Sequence, residues 1–89
     1  MIVTGVDAAE LGRLRWRCRR GIRELDVLLT AYVDTRYAQA GAADQEAFRS
    51  LLEQENSLIY AYCLRREAPP GAALRAVVAA ITANSPGDP

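Results

Sequence analysis

Apolar residues recur along this chain with the spacing of helices that bury one face, and nowhere with the two-residue alternation of strands. The clearest pattern is Leu25, Leu28, Leu29, Tyr32 and Val33 at i, i+3, i+4, i+7 and i+8, with Asp34 and Arg36 off the stripe. It predicts a helix from residue 22 or 24 to about residue 38, with Gly41 punctuating the connection after it. Upstream, Leu11, Leu14 and Cys18 share one face, and Asp7 with Glu10 has capping-box spacing. A first helix therefore opens near residue 8 and is ended or bent at Gly21, since glycine accepts backbone angles that other residues avoid. A third begins near Asp44, with Asp44 and Glu46 at its positive end, and carries Phe48, Leu51 and Leu52. Asn56-Ser57 reads as a break and cap. Leu58, Ile59, Tyr62 and Cys63 then form a short fourth helix, either separate from the third or continuous with it. Ala68-Pro69-Pro70-Gly71 is a stop, and a fifth helix spans roughly 72–83 with Leu74, Val77, Val78 and Ile81 inward.

The fold class that follows is all-α: one compact domain over 1–89, a bundle of about five short helices. Its ordered core is expected at about 8–83, with 1–6 a loose lead-in and 84–89 a flexible tail. The expected interior is Leu11, Leu14, Leu25, Leu28, Leu29, Tyr32, Phe48, Leu51, Leu52, Ile59, Tyr62, Leu74, Val77 and Ile81. Eighty-nine residues suit a single thin core. Each helix has one apolar stripe that the bundle can cover internally, so a monomer is expected.

Composition narrows the function classes. With no histidine, Ser-His-Asp and Cys-His catalysis and histidine-ligated metal sites are excluded. No phosphate-binding glycine loop and no carboxylate pair in an obvious cleft is visible, so no catalytic residue or metal ligand is assigned and the chain is read as a non-enzyme. Cys18 and Cys63 have the spacing of neither a zinc site nor a disulfide framework and are expected to be reduced thiols. No secretory signal is visible at the start, and the most apolar stretch, Ala72 to Ala83, contains Arg75 and is too short to span a bilayer. A soluble, cytoplasmic protein without membrane contact is expected.

Net charge is formally zero, but it is unevenly spread: six of the eleven arginines fall between Arg13 and Arg23, and there is no lysine. On a helical wheel Arg13, Arg17 and Arg20 form a stripe away from Leu11, Leu14 and Cys18. Trp16 lies nearly opposite the apolar arc, where it is either an exposed interface anchor or covered by another helix or the chain's tail. The stripe runs into Cys18-Arg19-Arg20-Gly21-Ile22-Arg23-Glu24-Leu25-Asp26, a glycine turn crowded with charge. Two readings of this turn stand. In one, Glu24 caps the second helix and pairs with Arg20 or Arg23, an exposed pair worth ~0–1 kcal/mol. In the other, the turn is a recognition site. The arginines likewise form a solvated face, a phosphate-binding surface, or a dock for an acidic protein surface or a partner-held anionic cofactor. Glu24 and Asp26 make the patch mixed in sign, which suits specific protein recognition better than nucleic acid.

The run Trp16-x-Cys18-Arg19-Arg20-Gly21-x-Arg23-Glu24-Leu25-Asp26 resembles the SdhE/YgfY family of small helical assembly factors. Phe48-x-x-Leu51-Leu52-Glu53 is similar to that family's central helix. Tyr62 stands where the family carries a tryptophan, and Asn56 and Ser57 stand where it often has acidic and proline residues. The similarity covers roughly residues 10–82. It implies a five-helix fold and a chaperone that binds the flavoprotein subunit of succinate dehydrogenase, or of fumarate reductase, and promotes covalent FAD attachment. FAD then belongs to the client, and no cofactor is bound tightly by this chain. The resemblance makes Arg20, Gly21 and Glu24 the client-binding motif, with Arg13, Trp16, Arg17, Arg19, Arg23 and Asp26 as supporting interface. In that picture Arg20 orients client or cofactor groups, Gly21 permits close approach and Glu24 makes the essential polar contact. The alternatives are an antitoxin-like regulatory interaction protein and a helical module binding nucleic acid through Arg13, Arg17 and Arg20.

Overall fold

The computed structural model describes residues 8–83, and within them the chain is helical with no strand. In order come α1 (Ala8–Arg17), α2 (Arg23–Thr35), a single 3₁₀ turn (Tyr37–Gln39), α3 (Ala42–Leu51), α4 (Asn56–Cys63) and α5 (Ala72–Ala83). The expected lead-in at 1–6, the Asp7 half of the capping box and the expected tail at 84–89 lie outside the described residues.

Each helix buries the stripe its sequence carries. Leu14 and Cys18, then Leu25, Leu29, Tyr32 and Val33, meet Phe48, Leu51, Leu52, Ile59, Tyr62, Val77, Val78 and Ile81 in one cluster. Helix α5 is the hub: it packs most extensively on α3 and also on α2 and α4, while α1 lies against α2. An exposed ion pair, Arg15 Nε to Asp34 Oδ1 at 2.6 Å, spans α1 and α2; at roughly half exposure it contributes about 0–1 kcal/mol.

Four expectations are corrected. Leu11, Leu28 and Leu74 pack at the rim of the core and are only partly buried, because short helices crossing one another cover the middle of a stripe better than its flanks. Helix α2 stops at Thr35, since Arg36 departs from helical angles (φ −128°) and the chain tightens into the 3₁₀ turn. That turn buries Tyr37 completely, a residue absent from the expected interior although it continues the α2 stripe four residues after Val33. Its ring lies 5.7 Å from that of Phe48, which also packs against Tyr32 at 4.7 Å, spacings typical of favourable tilted aromatic pairs. Finally, Asn56 is not the cap of α4. The N-cap is Glu55, which makes no side-chain capping bond, and the Asn56 side chain is used elsewhere. Helices α3 and α4 are separate, divided by a turn at 52–55.

Candidate functional site

The reversal between α1 and α2 occupies residues 18–22. Helix α1 ends as the Cys18 amide donates to Leu14 O (3.0 Å) and the Arg19 amide to Trp16 O (3.1 Å). Gly21 then takes φ +87°, the left-handed region where a side chain costs about 1–2 kcal/mol. Among the described residues, its chain neighbours aside, nothing comes within 4 Å of where its Cβ would stand. The glycine requirement is therefore conformational, and the outer side of the turn is open.

Two polar braces hold this reversal. The first is Asp26, in the opening turn of α2. Its Oδ1 accepts the Arg20 amide at 2.7 Å and its Oδ2 the Gly21 amide at 3.2 Å. A carboxylate thus satisfies two backbone donors just ahead of a helix whose own N-cap, Ile22, supplies no side-chain bond. Charge-assisted bonds of this kind are the stronger ones. The second is Arg20. Its Nε donates to Asn56 Oδ1 (2.7 Å), one terminal nitrogen to Arg17 O (2.9 Å) and the other to Gln54 O (3.0 Å). Asn56 Nδ2 donates back to Arg20 O at 3.3 Å. The guanidinium therefore ties the turn to the α3–α4 connection, and all three of its nitrogens donate to this chain's own acceptors. Beneath the turn Cys18 is fully buried, and desolvation pushes its thiol from 9.0 up to about 12, far from a reactive thiolate. Cys63 is also a free thiol raised by burial.

The exposed side of the site carries the other named residues. Glu24 points outward, and the pairing with Arg20 or Arg23 that the spacing allowed is not formed; its carboxylate makes no hydrogen bond or ion pair with the described residues. Arg19 and Arg23 are exposed. Trp16 is 69% exposed, uncovered by any described helix, with the Arg19 guanidinium 5.0 Å from its ring centroid, a cation–π contact of about 0.5–1 kcal/mol at such a surface. Arg13 and Arg17 face away from the core toward α3 and line a groove with Glu10, Leu14 and Arg49. Arg20 is withdrawn from the arginine stripe by its brace, so the stripe is not a continuous row of free guanidinium groups.

Asn56, with the Gln54 carbonyl, is the part of this site that sequence reading missed. Local logic assigns a short polar residue at a helix break to capping; its partner lies 36 residues away. Among the described residues no group of three or more His, Cys, Asp or Glu is placed to hold a metal ion, and no helix is long and apolar enough to cross a membrane. The arrangement combines a braced turn, a carboxylate unpaired among the described residues and an exposed indole.

Comparison with known proteins agrees in direction. A family model described as flavinator of succinate dehydrogenase matches residues 12–85. The FAD assembly factor SdhE of Pseudomonas aeruginosa is 44% identical over 72 residues, covering 81% of this chain and 86% of that protein. Those of Xylella fastidiosa and Shewanella oneidensis are 38% identical over 77 residues (86% and 79% coverage) and 36% over 73 (82% and 89%). No solved structure matches the chain.

Proposed function

This chain belongs to the family of succinate dehydrogenase flavinators, and from that premise we propose that it binds the flavoprotein subunit of succinate dehydrogenase, or of fumarate reductase, and promotes covalent FAD attachment there. FAD stays with the client. The observation that carries the reading is the contrast within one turn: Arg20 and Asp26 are spent on holding its shape, while Glu24 is left exposed and unpaired at its surface. An unpaired carboxylate on a braced turn loses little entropy on docking, because its backbone is already fixed.

The roles then divide. Glu24 makes the polar contact with the client. Gly21 supplies the backbone conformation and an outer face without a side chain. Arg20 and Asp26 act through the shape of the turn, and Trp16 with Arg19 and Arg23 extends the contact. The protein works as a monomer in the cytoplasm, over a single domain.

The test is flavinylation in a strain lacking this gene. The client subunit is expected to be present but to show little covalent flavin fluorescence after denaturation. The wild-type chain restores it and Glu24→Ala does not, although that variant melts like wild type. Normal covalent flavin in the deletion strain, with no second assembly factor present, overturns the proposal.

A further inference from the structure

Helices α1 and α3 approach each other little, and between them runs a groove of about 290 Å³ lined by Glu10, Arg13, Leu14, Arg17 and Arg49. Two of these lining side chains, Glu10 and Arg49, are held in place by Tyr37, which lies buried behind the lining. The Tyr37 hydroxyl donates to Glu10 Oε2 (3.0 Å) and accepts from an Arg49 terminal nitrogen (2.7 Å). The buried ring thereby fixes one carboxylate and one guanidinium across the gap, and the hydrogen bond to Tyr37 holds Arg49 firmly protonated. The Arg13 and Arg17 side chains are exposed and form no hydrogen bond or ion pair with the described residues. Three cations thus face one carboxylate that is already engaged, and the groove carries surplus positive charge.

The groove adjoins the turn, because the Arg17 carbonyl accepts from Arg20. Trp16, three residues after Arg13 and 69% exposed, stands on the same helix at the outer rim. We propose that the α1–α3 groove receives an acidic segment of the flavoprotein client, whose carboxylates pair with Arg13, Arg17 and Arg49 beside Trp16. This rests on the function proposed above and extends its contact surface from the turn along α1. Guanidinium groups suit carboxylates through paired N–H donors. A nucleic-acid strand fits less well: Glu10 lies inside the groove and Glu24 and Asp26 stand beyond its turn end, so an unbroken row of phosphates meets like charge at both.

The experiment measures binding of the purified succinate dehydrogenase flavoprotein subunit to three full-length chains: wild type, Arg13→Glu/Arg17→Glu and Glu24→Ala. Salt is varied over roughly 50–500 mM, a range that takes screening from weak to strong. The double reversal is expected to weaken binding by about tenfold or more and to flatten its salt dependence, as loss of charge complementarity does. Glu24→Ala is expected to weaken binding at the turn but to keep the part of the salt dependence that the double reversal removes. A short polyglutamate peptide is expected to displace the client from wild type. Arg17→Gln, which removes charge without reversing it, gives a smaller loss in the same direction and guards against misfolding of the double variant. If wild type and double reversal bind equally with equal salt dependence, the groove is not part of the interface while the proposed function stands. If wild type does not bind the flavoprotein, the function itself fails. If the reversal abolishes only binding of an oligouridine RNA and leaves the flavoprotein unaffected, the groove is a nucleic-acid surface and the inference is overturned.

Discussion

Two connections in this molecule reverse the chain by different means. Residues 18–22, between α1 and α2, are closed locally by Asp26 on two amides and tied at long range by Arg20 to Asn56 and Gln54, some thirty-five positions along the chain. Residues 64–71, between α4 and α5, are held locally. There the Arg66 amide donates to Ala61 O at 2.8 Å and the Arg65 amide to Tyr62 O at 3.1 Å, the bonding of a Schellman motif. Pro69 is buried, and its carbonyl is only weakly met by Arg75 at 3.5 Å. A connection that merely returns the chain can be specified by its neighbours. One that presents a defined surface is cross-linked to another part of the fold. Under the function proposed above, the difference is that between a spacer and a site.

The comparison breaks most sharply at Arg20. Arg20→Ala strands the partly buried Asn56 side chain and removes two exposed bonds to the Arg17 and Gln54 carbonyls, and should lower stability by about 1–3 kcal/mol in urea denaturation. It should also depress flavinylation. Arg20→Lys should not restore either, because a single ammonium cannot reproduce a planar fork aimed at three acceptors. Asn56→Ala should reproduce part of the loss, and the double variant should lose less than the sum, since the two residues form one bonded unit.

Next in size is Gly21→Ala, expected to cost about 1–2 kcal/mol through its left-handed backbone angle alone, with no clash to relieve. Alkaline pH reports on the packing under the same turn. The unfolded chain releases the Cys18 proton near pH 9, whereas the folded chain keeps it to about 12. Between these values the unfolded state binds fewer protons, so the stabilisation is complete below pH 9 and is lost as pH rises toward 12. Tyr32 and Tyr37, also raised by burial from 10.0, act in the same direction. The melting midpoint should fall from about pH 9 upward, and Cys18→Ala should remove part of the early fall while leaving the parts due to Cys63 and the tyrosines.

The local connection should respond with the opposite sign. Arg65 holds φ +62° without being glycine, so Arg65→Gly should stabilise the fold by up to about 1 kcal/mol and leave flavinylation unchanged. Smallest of all in stability is Glu24→Ala, expected within about 0.5 kcal/mol of wild type while eliminating activity. An equal loss of stability and activity in that variant would show that Glu24 is scaffold.

How much of this was readable beforehand follows the range of the interactions. Five helices were legible because each carries its own apolar period; the wheel set Trp16 opposite the apolar arc but left open whether another segment covers it, and the spacing left open whether Glu24 pairs with Arg20 or Arg23. Boundaries were less so: whether α2 ends at Thr35 or runs on to 38 depends on the 3₁₀ turn that seats Tyr37 against Phe48, a tertiary contact. The braces were not legible. Asp26 looks like any acid in a first helical turn, and Asn56 looks like a cap. Only the folded chain brings them to the amides and the guanidinium they serve.

The bond from Arg20 to Asn56 has a consequence for how such proteins can be recombined. The α1–α2 turn is not a contiguous cassette. A chimaera that imports the α1–α2 hairpin from a relative with a different residue at position 56 would receive the motif without its anchor. One that imports residues 54–56 together with the hairpin would receive both. The smallest transplantable unit is therefore a pair of segments distant in sequence, and exchange of the R-G-x-x-E stretch alone between relatives should succeed only where position 56 already matches.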